Sequence, residues 1–328
     1  MNVVPNKTEF TEAEFDELRR DVKAAQQRLA IAQAEVGRQA EVPESTLSQF
    51  LSGSYTSEPG RTQVAQKLVR WLKGLQQAAE VRRLLPKRPA FRDLEGSRRI
   101  RAILGYARET ARLVMVAGAP GVSKTASARQ FKEDNPRTWY AVMDATTAGV
   151  QPMLLEILAA MGTPEVKGTP MQLMRMVCAK AAEAKGLLII DEGQHLSDKA
   201  IETLRAINDR VEVGIAILGN EGVYNQVGTT GTKASFAQVS SRFAHRSYIL
   251  EPDAADAAQL AKAWAEENGE VITAREVAFC QQIAAKHGGL RNIEMTFEKA
   301  LIAARGAREA LGLEHLQGAF TQLAGTNR

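Results

Sequence analysis

Two kinds of hydrophobic spacing alternate along the middle of the chain, while one kind governs its ends. Short, largely apolar runs recur at Leu113–Ala117, Trp139–Met143, Leu187–Ile190, Val213–Leu218 and Ser247–Leu250. Between them apolar residues return every three or four positions, predicting helices near 152–161, 171–184, 199–210 and 236–243. Continuous apolar strands alternating with helices predict an α/β fold, a parallel sheet covered on both faces. A helix over 96–110 leads into the first strand, and from Asp253 onward the pattern predicts about four helices and no strand.

The first 85 residues carry helical spacing only. Thr11 and Glu14 form a capping-box start, and Phe15, Leu18 and Val22 share one face of the helix that follows. A short helix then ends near Ala40, Glu41-Val42-Pro43 make a turn, and a second helix starts at Glu44. Leu47, Phe50 and Leu51 face inward on it, Ser45, Ser48 and Gln49 face outward, and Gly53 stops it. This is the layout of a helix-turn-helix, with Ser45, Ser48 and Gln49 as candidate DNA contacts. The alternative is a helical bundle used for protein contacts, because Glu41 stands where glycine is usual and the outward face lacks Arg and Lys. A further helix, 62–75, buries Val64, Leu68, Trp71 and Leu72. Pro86-Lys87-Arg88-Pro89 marks a boundary. The expected organisation is a helix-turn-helix domain with a basic linker (1–85), an α/β core (90–250) and a helical lid (251–328).

Charge changes this picture locally. The 328 residues carry a net charge of +4, yet residues 61–101 hold twelve Lys/Arg against three acids, leaving the remainder at −5. A basic connector in an otherwise acidic chain suggests a polyanionic partner, with Arg82, Arg83, Lys87 and Arg88 as candidate contacts. The competing reading is a solvated linker. The N-terminus lacks an apolar leader and no run reaches membrane-spanning length, which predicts a cytoplasmic protein without membrane partners. Cys178 and Cys280, far apart on helical segments, and four scattered histidines predict neither a disulfide framework nor a metal cluster.

The candidate chemistry begins where the first strand breaks. Gly118, Ala119, Pro120, Gly121, Val122 and Ser123 lead into Lys124-Thr125 and a helix, the strand–turn–helix order of a phosphate-binding loop. Such a loop turns backbone N–H groups inward around phosphates, and the helix N-terminus adds partial positive charge. Lys124 can reach the outer phosphates and Thr125 can ligate Mg²⁺. Ser123 departs from the pattern, standing where the last glycine is usual. Downstream, the strand Leu187–Ile190 ends in Asp191, a second Mg²⁺ ligand, and Glu192, placed to orient an attacking water. Asn220 follows the next strand as a polar sensor of the γ-phosphate. Arg242 and Arg246 precede the last strand as candidate arginine fingers, and Arg291 lies in the lid.

GAPGVSKT, IIDEGQHL, ILGNEGVYNQ, SRFAHR and GGLRNI follow one another along the chain. In that order they resemble the AAA+ ATPases and, more closely, the phage Mu transposition protein B family. The resemblance spans nearly the whole chain, including the helix-turn-helix and the Trp-containing helix after it. It implies ATP and Mg²⁺ as ligands and DNA bound largely without sequence preference. It also implies self-assembly into helical filaments, and a transposase that the protein recruits and stimulates in a bacterial cytoplasm. By resemblance Lys124 and Thr125 are the nucleotide-binding pair, Asp191 and Glu192 the Walker B acids, Asn220 the sensor and Arg242 the finger, with Arg246 in reserve. Lys167 and Arg175 are added as DNA contacts of the core. Two alternatives stay open: a helicase loader or initiator-like ATPase of a mobile element, and a DNA-binding regulator that holds nucleotide without hydrolysing it.

Overall fold

The computed structural model describes residues 10–223 and 243–325. The chain divides into two compact units, residues 1–85 and 86–328.

In the first unit, helices α1 (Glu12–Leu29), α2 (Gln33–Gln39), α3 (Glu44–Ser52) and α4 (Gly60–Leu84) enclose Phe15, Leu18, Val22, Leu47, Phe50, Leu68 and Trp71. The Glu14 carboxylate accepts from the Thr11 backbone N–H at 2.8 Å, so the capping box forms. Between α2 and α3 Glu41 takes φ +56°, the left-handed conformation that normally selects glycine. The Lys67 ammonium holds that turn by donating to the Glu41 carbonyl at 2.8 Å, and Trp71 Nε1 donates to Gln39 Oε1 at 3.0 Å. Arg61 is buried over the Phe15 ring, 3.7 Å from its centre, and paired with Glu12. Helix α4 runs nine residues beyond the expected end at Leu75. Its last stretch, Gln76–Leu84, is mostly exposed, so apolar spacing cannot reveal it. Strong helix formers carry it until Pro86 ends the run.

The second unit opens with α5 (Glu95–Thr110), β1 (Leu113–Gly118), α6 (Lys124–Asp134) and β2 (Thr138–Val142). It continues with α7 (Val150–Ala160), α8 (Pro170–Ala184), β3 (Leu187–Asp191), α9 (Asp198–Val211), β4 (Gly214–Gly219) and β5 (His245–Ile249). The strands form one parallel sheet in the order β2-β3-β4-β1-β5. Pleating sorts each apolar run between two cores. Met115, Leu188, Ile190, Ile215 and Ile217 pack under α7, α8 and α9, whereas Val114, Val116, Ile189, Ala216 and Leu218 pack under α5 and α6. Burial on both sides is why the strands read as unbroken apolar runs. The helix expected over 236–243 lies almost wholly outside the described residues.

Four helices follow: α10 (Ala254–Glu267), α11 (Ala274–Ala284), α12 (Leu290–Ala307) and α13 (Leu313–Gly325). Trp264 and Phe297 stack at their centre, 6.0 Å apart, among Leu260, Ile283, Ile293 and Leu316. Asp256 of α10 is buried and accepts from the backbone N–H groups of Glu95 and Gly96 at 2.8 and 2.9 Å. A carboxylate from the bundle thus caps core helix α5, whose own N-cap residue, Leu94, makes no side-chain cap. No described helix is long and apolar enough to cross a membrane.

Candidate active site

The carboxyl ends of β1, β3 and β4 converge on a cleft of about 770 Å³. Its floor is the β1–α6 loop. Gly121 stands at φ +78°, and a Cβ there would fall on the Gly288 carbonyl. The Gly121 carbonyl in turn accepts from the Leu290 N–H at 2.9 Å, so the loop seats directly on the start of α12. Only a residue without a side chain permits that approach. Ser123 also takes the left-handed conformation, φ +65°, and immediately precedes α6. For a non-glycine residue that conformation costs roughly 1–2 kcal/mol.

Lys124 and Thr125 open α6. The Lys124 ammonium turns back over the loop and donates to the carbonyls of Gly118 and Ala119, both at 2.9 Å. Burial lowers its proton affinity, Asp191 and Glu192 oppose that shift, and Arg291 adds to it. The Thr125 hydroxyl donates to Asp191 Oδ2 at 2.8 Å. The Tyr140 hydroxyl donates to the same oxygen at 2.6 Å, and burial together with this bond pushes the Tyr140 proton loss to higher pH. Asp191 Oδ1 accepts from the Glu192 N–H at 2.9 Å. Asp191 is therefore a buried carboxylate held on three sides, one of them the loop threonine.

Glu192 stands at φ +55°, and its carboxylate accepts from Gln194 Nε2 at 2.5 Å. Gln194 Oε1 in turn accepts from the Asn220 N–H at 3.2 Å, and Asn220 Oδ1 accepts from the Gly222 N–H at 2.7 Å. Arg291, at the first turn of α12, lines the cleft beside Glu294. Burial raises the Glu294 carboxyl, while Arg88 and Arg291 pull it down and Glu298 adds to the rise. The segment 88–92 closes the rim, with Phe91 among the lining residues.

The structure thus brings Gly118, Pro120, Gly121, Ser123, Lys124, Thr125, Glu192, Asn220 and Arg291 to one cleft, with Asp191 bonded just beneath it. Ala119 and Val122 complete the loop, Val122 buried. Arg246 lies elsewhere, exposed on edge strand β5 opposite Met115. Arg242 lies outside the described residues. Lys167 is exposed in the α7–α8 loop and Arg175 on α8. In the first unit Ser45, Ser48 and Gln49 are exposed on α3, and Arg82 and Arg83 sit on the last turn of helix α4 rather than in an extended linker. Arg88 faces Glu294 and Glu298 at 3.5 and 3.7 Å, and the Lys87 N–H donates to Asn268 Oδ1 at 2.8 Å. Sequence reasoning missed Tyr140, Gln194 and Phe91. A tyrosine in the strand paired with β3 was a weak available signal for the first, and proximity to Glu192 for the second.

The chain matches the family described as "AAA domain" over residues 107–227 and that described as "Mu B transposition protein, C terminal" over 241–323. It is 31% identical to the ATP-dependent target DNA activator B of Escherichia phage Mu over 278 residues, 85% of this chain and 86% of that protein. It is 30% identical to the Mu-like prophage FluMu DNA transposition protein B of Haemophilus influenzae over 271 residues, 81% of this chain and 90% of that protein. Among solved structures, the Aeropyrum pernix ORC2 protein superposes with a TM-score of 0.55 at 14% identity, over 72% of this chain and 69% of that one. The Walker-type ATPase paby2304 of Pyrococcus abyssi gives 0.53 at 15%, over 73% and 74%. These two likenesses show the fold, and the match to the AAA domain over residues 107–227 makes it an AAA+ core.

The loop geometry makes Ser123 the position to test. Ser123→Gly removes a left-handed side chain without touching Lys124 or Thr125. ATP affinity, read by titration of the two proteins, is expected to hold or tighten by up to about thirtyfold, the upper end of the relieved strain. A marked loss of affinity would instead assign the serine hydroxyl a role of its own.

Proposed function

This chain belongs to the Mu B transposition protein family, and we propose that it is an ATP-hydrolysing, DNA-binding protein that selects and activates target DNA for a transposase. The observation that carries this reading is the Thr125–Asp191 hydrogen bond of 2.8 Å beside Lys124 and Glu192. It joins the phosphate loop to the end of β3 and gathers a cation, a hydroxyl and two carboxylates where phosphates would lie. Relatives named ATP-dependent target DNA activator B support the DNA-directed half of the reading.

The loop N–H groups and Lys124 bind the ATP phosphates, Lys124 exchanging the Gly118 and Ala119 carbonyls for phosphate oxygens. Thr125 and Asp191 are the residues that would hold Mg²⁺, because a hydroxyl and a carboxylate already converge there. Bound there, that ion neutralises charge on the outer phosphates. Glu192 orients the water and takes its proton. Asn220 senses the outer phosphate, and Arg291 reaches the nucleotide from α12. Arg242 is proposed as an arginine finger supplied by a neighbouring subunit, with Arg246 in reserve, so that hydrolysis depends on self-assembly into a filament on DNA. The place of action is the cytoplasm of a bacterial host.

DNA binding is assigned to the exposed cations Arg82 and Arg83 at the end of α4, with Lys167 and Arg175 on the core and Ser45, Ser48 and Gln49 on α3 as further contacts. Lys87 and Arg88 belong to the same basic stretch. Arg88 is partly neutralised by Glu294 and Glu298, which ranks it below Arg82 and Arg83.

Three experiments test the reading. Lys124→Ala should lose ATP binding, whereas Glu192→Gln should bind ATP, retain DNA and cut phosphate release by about 10²–10⁴-fold. Parental turnover by Glu192→Gln would overturn the assignment of the base. Absence of DNA-stimulated phosphate release from the parent protein would leave the regulator without hydrolysis.

Replacing Arg82 and Arg83 by Gln should weaken binding to all DNA sequences alike. It should also flatten the log–log salt dependence by roughly 0.9 for each phosphate that is no longer neutralised. Arg88→Gln should change that slope less. An unchanged slope for the Arg82/Arg83 variant removes the end of α4 from the DNA interface.

Arg242→Ala should bind ATP yet hydrolyse it slowly, since a finger supplied in trans contributes on the order of 10³–10⁵ in rate. Mixed with Lys124→Ala, it should recover turnover, because one protein keeps the loop and the other the arginine. Recovery with Arg246→Ala alone moves the finger to Arg246, and no recovery with either confines the site to one subunit.

A further inference from the structure

The turn after β3 carries a side chain to which ATP hydrolysis, as assigned to Lys124, Thr125, Asp191 and Glu192, gives no part. Gln194 is half-buried between the β3 and β4 ends of the cleft. Both functions of its primary amide are engaged. Nε2 donates to the Glu192 carboxylate at 2.5 Å and Oε1 accepts from the Asn220 N–H at 3.2 Å. The chemistry fixes which end is which, because a carboxylate needs a donor and a backbone N–H needs an acceptor. A Cβ on Gly219, the last residue of β4, would stand 2.5 Å from Val223 Cγ2 and 2.7 Å from Gln194 Oε1, so a side chain there would crowd the bridge as well as Val223. Glu192 meanwhile occupies a left-handed conformation, φ +55°, the kind of local strain held in place by surrounding contacts.

We propose that Gln194 is a positioning residue which ties the water-orienting carboxylate of Glu192 to the backbone of Asn220, so that base and phosphate sensor keep one fixed separation. The proposal rests on the chain being an ATPase with Glu192 as its base. Gln194 is not among the residues that line the cleft and acts through Glu192. Asn220 Oδ1 accepts from the Gly222 N–H at 2.7 Å, a local turn that shapes the backbone on which the bridge ends. Glutamate at 194 would keep the acceptor for Asn220 but lose the donor and repel Glu192. Methionine, of similar length, would lose both bonds.

The test uses the full chain with ATP and double-stranded DNA. Gln194→Met and Gln194→Glu should each lower kcat by about 10–100-fold, the range for a displaced reacting group, with KM and ATP binding within about threefold of the parent. In the Glu192→Gln background, Gln194→Met should lower residual single-turnover hydrolysis no further, because its effect runs through a carboxylate already gone. Undiminished kcat in both variants overturns the proposal, as does a full additional loss in the Glu192→Gln background, which would mark a general structural role. Loss of ATP binding by both variants overturns it too, since a positioning role leaves the phosphate loop intact. Parental hydrolysis by Glu192→Gln alone would instead bring down the assignment of the base, and the bridge with it, before any Gln194 variant is read.

Discussion

Everything in the second unit is arranged around a backbone that has to turn inward without side chains in its way. A loop that presents N–H groups to phosphate cannot also fill its interior with Cβ atoms. Gly121 meets that requirement at φ +78°, and the consequence is an exposed backbone on its outer side, which needs cover. The cover is the Gly288–Gly289 corner of α12, close enough that the Leu290 N–H reaches the Gly121 carbonyl at 2.9 Å. The same turn also sets the direction of α6, and hence where Lys124 and Thr125 emerge. The sheet supplies the rigid side of the arrangement. β1 is flanked by β4 and β5, so the strand that delivers the loop is hydrogen-bonded on both edges.

Much of this was legible because burial on both faces leaves a plain mark. Five largely apolar runs became five strands within two residues of their expected limits; β1, β3 and β4 are buried along their whole length, whereas edge strand β5 keeps His245 and Arg246 exposed. Asp191 and Glu192 were legible from their place at the end of an apolar strand, and Lys124 and Thr125 from theirs at the helix start after a glycine-bearing loop. Tyr140 and Gln194 were not, because their importance comes from neighbours far away in sequence: Asp191 stands 51 positions from Tyr140, and Asn220 stands 26 from Gln194. The end of α4 was misplaced for a different reason. Residues 76–84 touch little, so only helix propensity, not spacing, extends the helix.

Charge counting located the basic stretch and overstated its availability. Arg88 meets Glu294 and Glu298, Arg92 meets Glu266, and Arg101 meets Asp134. Those acids come from α6, α10 and α12, so the excess seen in sequence is partly cancelled by residues that only folding brings near. Exposed pairs of this kind contribute little to stability. Their effect is on the field, which weakens over residues 88–101 and leaves the exposed turn at Arg82 and Arg83 as the less compensated part of the run.

The bundle bonds to the backbone of the segment running from α5 through β1 to the phosphate loop at two points, one at each end. Asp256 caps the start of α5, and Leu290 bonds to the loop that follows β1. α5 feeds directly into β1 and β1 into the loop, so the bundle grips this segment at its beginning and at its end. The grip at Asp256 is the demanding one. A carboxylate only 2% exposed loses its hydration, and what replaces it is a pair of N–H groups at a helix N-terminus, the site where the macrodipole favours negative charge. The grip at Leu290 uses backbone alone and depends on two glycines meeting without side chains between them. A bundle fixed this way carries Arg291 and Glu294 to the cleft as consequences of the Gly121 contact, because the residue after Leu290 begins the turn of α12 that faces it.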